Sequence, residues 1–209
     1  MFDFLRGWFG RQQAPLAHVH QRELAGLVAC LVAWHRGALE DEADQGGDIA
    51  HLEERRSALA WFAHGAGVTD PFALHVLQIP VWQLERDLFL LASYRIETAG
   101  GLAWALELLD ALPPSAQRVD VQRVAALFPL EGAPPAEIDT AALRDSEQRE
   151  RAMLALRDVL ARPVAPGDVE ANLSRSRAYE RARALCWVDA AHTVTLDAVD
   201  PLVALGLEV

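Results

Sequence analysis

At 209 residues, 52% of them hydrophobic, the chain is long enough for a domain with its own core, and wholesale disorder is excluded. The net charge of −11 argues against nucleic acid as a partner, because binding a phosphate backbone needs a basic patch that releases counterions. All nineteen cationic side chains are Arg, so a Schiff-base lysine and a phosphate-binding loop with its Lys are excluded as well.

Met1 to Gly10 carries Phe2, Phe4, Leu5, Trp8 and Phe9, with Asp3 where a secretory leader wants positive charge. Residues 1–15 read as an aromatic arm and linker that folds back on the core, and 16–209 as a single helical domain. Leu24, Leu27, Val28, Leu31 and Trp34 follow the 3.6-residue period of a helix over Leu16 to Leu39. The uncharged run from Leu24 to Trp34 is too short to cross a bilayer, and the expected location is the cytoplasm. Glu40 to Asp48 reads as an acidic loop through Gly46-Gly47, and Asp48 as the cap of a helix over Ile49 to His64 that stops at Gly65 or Gly67.

Asp70-Pro71 opens a short helix to Gln78, which Pro80 ends. Val81 to Asp110 is the most apolar stretch, a buried hairpin or kinked helix in which Gly100-Gly101 marks a kink or a close crossing. Pro113-Pro114 closes it, and a modest helix over Ala116 to Phe128 and a loop at Pro129 to Pro135 follow. Asp139 or Thr140 begins a charged helix to Ala161, with Arg144, Glu147, Arg149, Glu150 and Arg151 outward and Leu143, Met153, Leu154, Leu156, Val159 and Leu160 inward. A helix over Asp168 to Ala190, an extended piece at His192 to Leu196 and a last turn from Asp200-Pro201 complete the chain. With no series of strands, the expected fold is all-α, a single irregular bundle of about seven to nine helices.

One phrase recurs three times: Glu, three residues, a small residue, Leu, any residue, Trp. It runs from Glu54 to Trp61, from Glu97 to Trp104 and from Glu180 to Trp187. On a helix its Glu, small residue and Trp share one face, which suits close packing with the indoles turned to a common centre. The intervals between phrases are unequal, so this is a packing solution used repeatedly and not a tandem array.

Ser93-Tyr94-Arg95-Ile96-Glu97, continuing through Gly101-Leu102-Ala103-Trp104-Ala105-Leu106-Glu107 to Leu112-Pro113-Pro114, resembles the central motif of the bacterial family known as domain of unknown function 4272. Tyr179-Glu180-Arg181 with Ala184-Leu185-Cys186-Trp187 is similar to that family's second motif, and Asp197 to Asp200 to its acidic close. The likeness spans roughly residues 50 to 205; Glu107 stands where a Gly is usual and Cys186 where an Asn is. The resemblance implies no established activity.

Tyr94, Arg95, Glu97, Trp104 and Glu180 are the candidate ligand-binding residues. Glu54, Glu97 and Glu180 could converge as a cation site or a general base of raised pKa. The structural alternative, which is the one expected, pairs each Glu with an Arg and fixes helix register. Arg175, Arg177, Arg181 and Arg183, interrupted by Glu180, read as a solvated helix face. The seven His residues (His18, His20, His35, His51, His64, His75 and His192) form no metal-binding motif. Asp41, Asp44 and Asp48 lack the ligand spacing of a calcium loop. No Ser lies in a nucleophile elbow, and Cys30 and Cys186 read as buried free thiols. No metal or cofactor is implied.

These observations favour a non-catalytic cytoplasmic protein that works by protein–protein interaction, such as an acidic immunity or accessory partner of a basic effector. The alternative is a small-ligand-binding protein or enzyme with a pocket around Arg95, Glu97 and Trp104. A membrane-grazing role for the aromatic arm is a third expectation.

Overall fold

The computed structural model describes residues 20–128, 141–190 and 194–207. The expectations for the aromatic arm, the Pro129–Pro135 loop, a helix start at Asp139 or Thr140 and the extended piece from His192 lie outside the described residues. Eight α-helices and no strand are found among the described residues: α1 (Gln21–Asp44), α2 (Ile49–Gly65), α3 (Pro71–Gln78), α4 (Arg86–Ala105), α5 (Val121–Ala125), α6 (Ser146–Ala161), α7 (Val169–Asp189) and α8 (Pro201–Ala204). A 3-10 turn at Leu196–Ala198 precedes α8. The fold is an all-α multi-helix bundle.

Aspartate starts most of these helices. Asp48, Asp70, Asp120, Asp145, Asp168 and Asp200 each accept a hydrogen bond from a backbone N–H of the first turn that has no intrahelical acceptor. Several boundaries differ from expectation; α4, for one, fills only Arg86–Ala105 of the Val81–Asp110 stretch. Helix α1 runs on through Asp44 because Glu40 is buried against Arg36 and accepts from Leu84 N, which makes that turn part of the core. Helix α5 is short because residues 113–119 are drawn to side chains of α4 and α7 before Asp120 caps it. Helix α6 starts late because Arg144 N donates to Ala105 O (2.8 Å), keeping the approach extended until Asp145.

The helix ends share a second device. At α1, α2, α4 and α8 the residue after the C-cap donates back three residues, and the next donates back five. That first residue takes a positive φ, and Gly46, Gly67 and Gly206 fill it in α1, α2 and α8. In α4 it is Glu107, at φ 58°.

Helices α1, α4 and α7 form the centre. Gly37 of α1 lies against Ala92 and Gly26 of α1 near Leu102, so α1 and α4 pack antiparallel. Helices α2 and α3 cover α1, and α6 covers α7. Leu156 and Leu160 are the buried positions of α6; Leu154, expected inside, is 56% exposed because α7 covers only one side of that helix. A smaller cluster of Leu39, Ala43, Leu52 and Val81 closes the α1–α2 end.

Candidate functional site at the crossing of α4 and α7

The second and third phrases meet face to face. Thr98 Oγ1 donates to Glu180 Oε2 (2.7 Å), and Arg181 Nε and Nη2 both donate to Glu97 Oε2 (2.9 and 2.7 Å). A Cβ placed on Gly101 would stand 2.8 Å from that of Ala184. One turn on from Glu97–Arg181 and Thr98–Glu180 comes Gly101 against Ala184, so α4 and α7 cross in the same direction, phrase upon phrase. The contacts are close to two-fold. The first position of each phrase meets the second of the other, and the fifth positions meet each other. The small fifth residue lets the backbones approach; Gly100 and Gly101 therefore mark a close crossing within a continuous helix.

The eighth position is treated alike in both. Trp104 and Trp187 are buried in the last turns of α4 and α7, where carbonyls lack intrahelical donors. The Arg144 guanidinium lies 4.8 Å from the Trp104 ring, and its Nε donates to Trp104 O (3.0 Å). Arg22 lies 4.0 Å from the Trp187 ring, and its Nη2 donates to Trp187 O (3.0 Å). One planar cation thus covers a π face and satisfies the helix end together. Arg144, expected on the outside, does this work half-buried.

The first phrase stands apart. Trp61 is 45% exposed, and the exposed Glu54 has His51 as its nearest basic group, at 3.9 Å. The three acids do not converge and the three indoles do not share a centre, because the phrase of α2 has no matching phrase packed against it.

Both buried acids are fully engaged. Glu97 Oε2 holds Arg181 and Oε1 accepts from Val119 N (3.4 Å). Arg181 is wholly buried, against the expectation of a solvated arginine face, and also donates to Pro113 O and Gln117 O. Burial lowers the pKa of Arg181 from its ordinary value, and Glu97 opposes that shift. Glu180 takes Thr98 on one oxygen and Arg183 Nη1 on both, each at 3.0 Å. Arg95 is buried over the Phe72 ring and ion-paired to Asp197.

Above the crossing the two helices leave a groove of about 680 Å³. Asp87, Leu90, Leu91 and Tyr94 line it from α4; Asn172, Arg175, Ser176, Tyr179, Glu180 and Arg183 line it from α7. Both sets follow the helical i, i+3, i+4, i+7 spacing of one face. Of the five candidate residues, Tyr94 and Glu180 come together here. Arg95, Glu97 and Trp104 are not among the lining residues of this groove; they belong to the packed layer of the crossing.

Sequence reasoning missed a second buried pair, Arg36–Glu40 (2.8 Å). Arg36 also donates to the carbonyls of Val76, Ile79 and Pro80, fastening the end of α3 to α1. Its signal was an i, i+4 charge pair inside an apolar helix face. Burial pushes the Cys30 thiol up to about 12 and Cys186 up to about 11, which keeps both protonated and unreactive. Among the described residues no group of three His, Cys, Asp or Glu is placed to hold a metal ion, and no helix is long and apolar enough to cross a membrane. Comparison with family models, curated proteins and solved structures found no match.

Proposed function

We propose that this chain works without catalysis, by binding a basic protein partner on its acidic exterior, as a cytoplasmic neutralising or accessory protein would. The observation that carries this reading is Trp82. It is 63% exposed, at φ 69°, in the turn closed by Gln83 N donating to Pro80 O (3.2 Å). That third turn position favours Gly, so a bulky aromatic there is held against its backbone preference and turned to solvent.

The surroundings fit a cationic partner. Val81 N donates to Glu53 Oε1 and Leu84 N to Glu40 Oε1, which straps the turn to α1 and α2. The exposed acids Asp41, Asp44 and Glu54 belong to the same two helices, where Glu42 is already paired to Arg55, and Glu85 follows the turn with Arg86 beside it. An exposed indole on a chain of net charge −11 suits Arg or Lys side chains, through ion pairs and the π face alike. The engagement of Glu97 and Glu180 in structural pairs supports a non-catalytic reading. Kinship with domain of unknown function 4272, which we also propose from the two motifs, adds no activity.

The test is native mass spectrometry of the protein recovered from its host, with Trp82→Ala in parallel. We expect a complex that dissociates at high salt and is lost in the variant, whose melting temperature is retained. A bare monomer with a turnover activity would overturn the proposal.

A further inference from the structure

We propose that the α4–α7 groove is a binding site for a small organic anion with an apolar body, distinct from the acidic face around Trp82. Its size falls within the range of small-molecule clefts. Its walls supply apolar contact and unpaired donors together. Leu90 and Leu91 are 43% and 45% exposed on the face that lines the groove, and Tyr94 and Tyr179 line it with them.

Two acids and two arginines line the groove, and what selects charge is how far each is already engaged. Both Glu180 oxygens are already taken by Thr98 and Arg183, so this acid has no free capacity for a cation. Asp87 lies in the first turn of α4, where the helix end compensates a carboxylate. Arg175, half-buried on the opposite wall, has no ion pair or hydrogen bond among the described residues, and the Tyr94 hydroxyl has no partner there either. Arg183 Nε is shut from solvent without an acceptor. Among the donor side chains of this groove, Arg175 and Tyr94 are the ones with no partner at all among the described residues. A carboxylate or sulfonate fits them, with its hydrocarbon part against Leu90, Leu91 and Tyr179.

Anilinonaphthalene sulfonate is the probe, read by fluorescence titration of the full chain. The expected result is saturable one-to-one binding that naphthoate displaces and the neutral naphthylmethanol does not. Arg175→Glu weakens it about tenfold or more, the scale of one lost charge-assisted hydrogen bond. Arg157→Glu, on the exposed side of α6, makes the same change of net charge and leaves binding intact. Melting curves accompany every variant; if Arg175→Glu unfolds, Arg175→Gln is expected to show the same loss of affinity. Non-saturable binding, equal displacement by the neutral compound, or equal losses in the Arg175 and Arg157 variants would each overturn the proposal. The partner experiment on Trp82 is unaffected by any of these outcomes.

Discussion

At the scale of single residues, the clearest departure from local preference is Glu107. Gly46, Gly67 and Gly206 occupy the same left-handed position after their helices, and only α4 asks a side chain to sit there. A left-handed L-residue costs about 1–2 kcal/mol, part of which a Gly loses again through the freedom of the unfolded chain. Glu107→Gly is therefore expected to stabilise the protein by about 0.5–1 kcal/mol, read as a higher urea midpoint at unchanged slope. A lower midpoint would show that the Glu107 side chain contributes more than its backbone costs. His35 carries a pH effect. Its Nε2 is buried without a partner, and burial, helped by Arg55, lowers its pKa from 6.5 to about 4. The unfolded chain then takes the proton first, so this contribution is intact above pH 6.5 and drains away as pH falls toward 4. His35→Gln should flatten that part of a stability profile measured by urea unfolding; an unchanged slope would place the titration elsewhere.

At the scale of elements, α4 and α7 are joined by two reciprocal polar contacts around a contact of small residues. Removing one member of a buried ion pair leaves an uncompensated charge, at about 3–5 kcal/mol. Glu97→Gln is expected to lose about that much, measured by denaturant unfolding. A cycle with Arg181→Met should show a coupling of about 1–3 kcal/mol between the two. A Glu97→Gln protein as stable as its parent but altered in binding would return Glu97 to a functional role. Much of this was legible in sequence. The Glu–small–Trp spacing identified a packing face, and the pairing of Glu with Arg was the expected outcome. Which Arg serves which Glu was not legible, since Arg181 is adjacent in sequence to Glu180 but reaches Glu97 across the crossing. Nor could the phrase of α2 be told from the other two, because its exposure depends on what lies opposite.

At the scale of the whole molecule, the buried charges are matched with partners and the excess charge lies outside. The guanidinium groups that face inward (Arg36, Arg95 and Arg181) are bound to acids and carbonyls, so they hold the bundle and leave the outer surface to the excess of carboxylates. Two features of that outer surface carry the functional readings: the exposed indole of Trp82, and the groove in which Arg175 and Tyr94 have no partner among the described residues. They face different chemistries, one a cationic surface and the other a small anion, and for that reason they can be tested separately.

The amino-acid sequence by itself determined the helices, most of their Asp caps and the all-α class, because capping, the 3.6-residue period and proline breaks act within a few residues of where they are written. Only the tertiary structure decided which phrases face each other, that α4 and α7 cross in the same direction, and that a groove opens beside Tyr94 and Glu180. Those outcomes depend on pairs of residues some eighty positions apart, and a period repeated on three helices says what each can bury but not against which neighbour.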